Sequence, residues 1–102
     1  MGITTQAIGT LTLDRTDSAG EPGREVRIEH RLMAKAPDKE LWFGFVLTTS
    51  SQQVISPGGE SQVGVAFLND VEARARFKAR TPIRFGDGVR VRGTLVLEKY
   101  LD

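Results

Sequence analysis

Apolar and polar residues alternate with a period of two through most of this chain, and that alternation restricts the fold more than any other feature. A strand sends successive side chains to opposite faces, so the pattern describes sheets with one covered and one wetted side. In Glu25–Leu32, the residues Glu25, Arg27, Glu29 and Arg31 alternate with Val26, Ile28, His30 and Leu32. This predicts a half-buried strand with His30 in the inward set. Leu41, Phe43, Phe45 and Leu47 share one face of the next apolar run and Trp42, Gly44 and Val46 the other, which predicts a strand covered on much of both sides. Val63, Val65 and Phe67 alternate next, and then Val71, Ala73, Ala75 and Phe77 alternate with Glu72, Arg74, Arg76 and Lys78. Val71–Arg80 is also rich in helix formers, but its strict alternation favours a strand. Near the end, Val89, Val91, Leu95 and Leu97 fall on one face and Arg90, Arg92, Thr94, Val96 and Glu98 on the other. Gly93 stands where a bulge or the close approach of another strand suits it.

Turn chemistry separates these runs. Asp17–Gly23 forms a long polar connection after a first strand over Ala7–Asp14, and Ala36-Pro37-Asp38-Lys39 separates the second and third strands. Ser56-Pro57-Gly58-Gly59 places Pro and Gly where a type II turn wants them, and Gly86-Asp87-Gly88 closes a final hairpin. The expected fold is all-β: a small antiparallel barrel of six to eight strands, or a small sandwich. At 102 residues it reads as one β-barrel domain over residues 1–102, with residues 1–6 expected to be disordered.

Groups that carry chemistry are scarce. There is no cysteine, which removes thiolate metal sites, disulfides and cysteine nucleophiles. His30 is the only histidine and falls in the inward-facing set, so it is read as a core or rim residue. Ser50, Ser51, Ser56 and Ser61 lie in or beside polar turns, without a Gly-x-Ser-x-Gly elbow. The expectation is a non-enzyme with no metal and no cofactor. Met1–Leu13 lacks a basic segment followed by a long apolar one, and no stretch has the roughly 18 apolar residues of a membrane span. A cytoplasmic protein without membrane partners is expected.

Charge is distributed unevenly behind a net value of +1. Residues 1–73 carry six basic and ten acidic groups, whereas residues 74–92 carry seven basic groups against Asp87 alone. On strands, Arg74, Arg76 and Lys78 share one face, and Arg90 and Arg92 share another. If the two strands were neighbours, the five cations would form one patch able to neutralise several phosphates. A solvated face with the arginines paired to Glu72, Glu98 and Glu29 is the alternative. Trp42 and Tyr100 are the aromatics read as exposed. The RNA- or partner-binding residues are therefore Arg74, Arg76, Lys78, Arg90, Arg92 and Trp42.

From Pro57 onward the chain resembles a known family. Pro57-Gly58-Gly59-Glu60, a strand ending in Phe67-Leu68, and the stretch from Pro82-Ile83-Arg84-Phe85 through Gly86-Asp87-Gly88-Val89-Arg90-Val91-Arg92-Gly93 are similar to the C-terminal β-barrel of translation elongation factors, the elongation factor Tu domain III-like fold. Weaker similarity reaches back to Leu11–Gly23. Arg92, where the family has an apolar residue, and Leu95, where it has a second glycine, depart from the pattern. The resemblance implies a barrel and raises RNA or protein as partners. No Gly-x-x-x-x-Gly-Lys-Ser/Thr loop occurs, so no nucleotide cofactor and no GTP hydrolysis are expected. The reading is a non-catalytic binding module that holds an RNA backbone on an arginine-bearing face. The alternative is a protein-interaction or regulatory domain that self-associates through the Leu41–Leu47 strand or an exposed barrel edge.

Overall fold

A computed structural model describes residues 4–28, 30–37 and 41–101. In chain order its elements are β1 (Ala7–Leu13), β2 (Val26–Arg27), β3 (Arg31–Lys35), β4 (Trp42–Ser50), β5 (Val54–Ile55), β6 (Glu60–Phe67), α1 (Asp70–Arg76), β7 (Pro82–Gly86) and β8 (Val91–Tyr100). Six strands close into an antiparallel barrel in the order β1-β6-β4-β3-β7-β8, and β8 pairs back onto β1. β2 and β5 form a separate two-stranded ribbon. The expected small all-β barrel is thus present, with one short helix added.

Alternation puts the core where the pattern asks for it. Ala7, Leu11 and Leu13 of β1, Phe45 and Leu47 of β4, and Leu95 and Leu97 of β8 are all buried. Phe45 sits among aromatic neighbours, with ring centroids 5.8 Å from Phe67 and 6.2 Å from Phe85. Each buried Leu or Phe side chain among them contributes about 1.5–3 kcal/mol of apolar transfer. Three register shifts curve the wall, between Ile8 and Gly9, Leu47 and Thr49, and Phe85 and Gly86. At Gly93 the wall is crowded from both sides, because a Cβ there would meet the Thr12 carbonyl oxygen and lie 2.6 Å from the Phe85 ring. The Ser56–Gly59 reversal has the expected form: Gly59 N–H donates to the Ser56 carbonyl at 2.8 Å, and Gly58 takes φ of 85°.

Each end of the barrel carries its own plug. β5 lies between the end of β4 and the start of β6, and β2 precedes the start of β3, so the β2–β5 ribbon covers one end. Val26 and Ile55 from that ribbon are buried in the core. α1 joins the end of β6 to the start of β7 and covers the opposite end. There Phe77 stacks on Phe67 at 5.6 Å and meets Phe43 edge-on at 5.6 Å.

The strand expected over Val71–Arg80 is a helix instead. Asn69 caps it by accepting from the Glu72 N–H at 3.3 Å, Asp70 and Glu72 occupy its first turn, and Arg74 and Arg76 its last. Asp70–Arg74 at 2.9 Å and Glu72–Arg76 at 3.4 Å add ion pairs one turn apart. Burial follows the helical spacing: Ala73 and Phe77, four residues apart, are buried, whereas Val71 is 80% exposed.

Two other expectations are corrected. Glu25–Leu32 is not one strand but β2, a turn and β3, with Glu29 outside the described residues. The turn closes through His30 N–H donating to the Arg27 carbonyl at 3.1 Å and Arg27 N–H donating to His30 Nδ1 at 3.3 Å. His30 is consequently exposed rather than inward-facing, and Ile28 is 39% exposed. Val89 is 84% exposed because it lies in the connection between β7 and β8, where the Asp87 carboxylate accepts from the Val89 and Arg90 amides. Within the first six residues, Gln6 is tied to the wall, its N–H donating to the Val65 carbonyl at 2.8 Å and its Oε1 accepting from Phe67 N–H at 2.9 Å. Residues 1–3 and the turn residues Asp38 and Lys39 lie outside the described residues.

Candidate functional site

The antiparallel order decides where the cations go. α1 and the start of β7 lie at the helix end of the barrel, while the β7–β8 connection and the start of β8 lie at the ribbon end. Arg74, Arg76 and Lys78 are therefore separated from Arg90 and Arg92 by the length of the barrel. The five do not form one patch.

Most of these arginines hold the fold together. Arg74 donates to Asp70 Oδ1 at 2.9 Å and to the Leu101 carbonyl at 2.9 Å, and it lies 4.8 Å over the Tyr100 ring. Tyr100 in turn donates its hydroxyl to the Phe77 carbonyl at 2.5 Å, so the pair fastens the helix region to β8. Burial pushes the Tyr100 hydroxyl above its ordinary pKa. At the ribbon end, Arg90 pairs with Asp17 at 3.2 Å and Arg92 donates to the Arg24 carbonyl at 2.7 Å. Arg92 is the extra residue of the bulge, since Phe85 faces Gly93 and Gly86 faces Val91. Both arginines hold the Asp14–Arg24 loop against the β7–β8 hairpin. The Asp87 carboxylate is held below the ordinary aspartate value by amide donors from Arg90 and then Val89.

The remaining cations surround a cleft at the helix end. Registered pairing between β3 and β7 consists of Met33 opposite Gly86 and Ala34 opposite Phe85. Continued, it would set Lys35 opposite Arg84, two like charges on the outer face, and then Pro37 opposite Pro82, neither of which has an N–H. The strands part there. On their other edges the ladders continue, Lys35 pairing with Trp42 on β4 and Pro82, Ile83 and Arg84 with Val96, Leu95 and Thr94 on β8. The opening is a cleft of ≈ 360 Å³ lined by these two strand ends and by Arg76, Phe77, Lys78 and Thr81.

Its floor is apolar, with Ala36, Phe77 and Ile83 all buried, and its rim carries Lys35, Arg76, Lys78 and Arg84. No carboxylate is among the described residues that line it. Arg76 is 5.5 Å over the Phe43 ring, Lys35 Nζ is 5.9 Å from the Trp42 ring, and Arg84 donates to Asp14 Oδ2 at 3.0 Å and to Thr94 Oγ1. Of the residues read as binding from the sequence, Arg76 and Lys78 line this cleft, and Trp42 stands beside it as Lys35's partner on β4. Lys35 and Arg84 were missed. Pro37 and Pro82 were the visible signal, because two prolines at facing strand ends stop a ladder.

Other chemistry has little footing among the described residues. No group of three or more His, Asp or Glu is placed to hold a metal ion. His30 is exposed, its Nδ1 accepting from a backbone amide. No helix is long and apolar enough to cross a membrane. β4 pairs with β3 over Trp42–Val46 and with β6 over Phe45–Ser50. No protein-family model matches the chain, and no curated protein matches it.

Proposed function

We propose that this chain is a non-catalytic binding module that docks an anionic segment of a larger molecule in the cleft between β3 and β7. One observation carries the reading: Lys35, Arg76, Lys78 and Arg84 line one opening together, Arg76 also pairing with Glu72 and Arg84 with Asp14, and no carboxylate is among the described lining residues. Phosphodiester chains and carboxylate-rich chains share the chemistry such a rim recognises. The similarity of residues 57–93 to elongation factor Tu domain III supports a binding role of this kind, with RNA or protein as partner, although a barrel fold alone hosts many functions.

The test is an NMR titration of labelled protein with tRNA and, separately, with polyglutamate at ~50 and ~200 mM salt. At least one of the two shifts the Ala36, Lys78, Thr81 and Arg84 amides, and the effect weakens as salt rises. The charge reversal Lys78→Glu, at an exposed position, reduces it severalfold. Silence of these amides toward both polyanions overturns the reading.

A further inference from the structure

We propose that Arg80 is a contact residue for the docked anionic segment, an inference that rests on the docking reading and adds to it a residue outside the lining of the cleft. Arg80 stands in the connection between α1 and β7 and holds φ of 65°, the only non-glycine residue with a positive φ among the described residues. Its N–H donates to the Leu97 carbonyl at 2.6 Å, which ties that conformation to the β8 wall. The left-handed region crowds an L side chain against its own backbone, and glycine meets the same turn at lower cost. No contact within the described structure offsets the difference. Arg80 is exposed, and among the described residues no hydrogen bond, ion pair or ring contact engages its guanidinium. Residues kept in such conformations collect at ligand contacts, where the side chain serves something outside the chain.

The position borders the path of a docked segment. Arg80 lies between Lys78 and Thr81, both of which line the cleft. A cleft of ≈ 360 Å³ is near the lower end for ligand pockets, so a segment of a larger molecule seated there continues over its border. Lys78, two residues away, is likewise exposed and without a partner among the described residues. The other cations of this end are engaged: Arg76 with Glu72, Arg84 with Asp14, Arg74 with Asp70, and Lys35 against the Trp42 ring. Lys78 and Arg80 can therefore meet an incoming oxyanion without breaking a contact made within the described structure. A guanidinium offers planar N–H donors that match phosphate and carboxylate oxygens alike, so the contact reads charge and not sequence.

The experiment measures the affinity of the intact chain for tRNA and, separately, for polyglutamate at ~50 mM salt, with the stability of each variant read from thermal melts. Arg80→Gly and Arg80→Asn, both compatible with a left-handed backbone, melt no earlier than the wild type. They bind whichever polyanion moves the cleft amides about fivefold more weakly. If that polyanion is tRNA, the slope of log K against log salt becomes shallower by about 0.7–0.9. Arg80→Lys keeps the charge and binds more tightly than Arg80→Gly. Arg31→Gln, which removes an exposed cation at the opposite end of the barrel, binds like the wild type. Undiminished binding by Arg80→Gly and Arg80→Asn, a lowered melting temperature in both, Arg80→Lys no better than Arg80→Gly, or an equal loss in Arg31→Gln each overturns the inference and leaves the anion reading standing. No cleft shift with either polyanion removes both.

Discussion

Gly93 shows how narrowly single positions are determined. A methyl group there would press on the Thr12 carbonyl on one side and the Phe85 ring on the other, both parts of the barrel wall. Gly93→Ala is expected to cost about 1–3 kcal/mol, read from urea denaturation. Arg80 presents the opposite case: it holds φ of 65°, a conformation that costs an L side chain about 1 kcal/mol. Arg80→Gly is expected to leave stability unchanged or raise it by up to about 1 kcal/mol. Asp87 adds a pH dependence. Its folded pKa lies below the unfolded value of about 3.9, so its contribution is present above that pH and is lost as pH falls through the folded pKa. Asp87→Asn keeps an acceptor for the two amides without the titration. Thermal melts should therefore show the wild type losing stability relative to this variant below about pH 4. The need for a small residue at 93 was legible in the sequence, because a glycine interrupts an apolar face. Arg80 gave no such signal, since nothing in its neighbours marks a left-handed residue.

Among the elements, α1 and the β3–β7 seam depend on different causes. The helix rests on a cap, two ion pairs and the Tyr100 anchor. Asn69→Ala is expected to cost about 1 kcal/mol in chemical denaturation. Alternation misread this segment because Ala and Arg at every second position satisfy a strand pattern as well as a helix. Asn69 followed three residues later by Glu72 was the discriminating signal, an N-cap paired with an acidic third position. Glu25–Leu32 failed for a non-local reason: β2 pairs with β5 rather than joining the barrel, and no local pattern names a strand's partner. The strands β1, β4 and β8 were legible because their apolar faces are continuous and buried. At the seam, two registered pairs join β3 to β7, whereas seven join β1 to β8. Hydrogen exchange should accordingly be faster at Met33 and Gly86 than at Leu11 and Leu95.

At the scale of the whole molecule, the barrel divides its cations between its two ends. Arg90 and Arg92 hold a loop at the ribbon end, Arg74 fastens the helix region, and Arg76, Lys78, Lys35 and Arg84 face a cleft. The basic block over residues 74–92 was plain in the sequence, but its division between two ends was not, because a strand reading of 71–80 placed Arg74, Arg76 and Lys78 on a common face. Lys35 could be joined to Arg84 only through the register of strands about fifty residues apart in the chain. The site therefore became visible with topology, not with composition. The most direct test of the binding module is amide shift mapping across the whole barrel with tRNA and, separately, with polyglutamate. Shifts confined to the helix end, at Ala36, Lys78, Thr81 and Arg84, with Arg90 and Arg92 unmoved, are the predicted result. Shifts centred on Arg90 and Arg92, or none at the cleft, would contradict it.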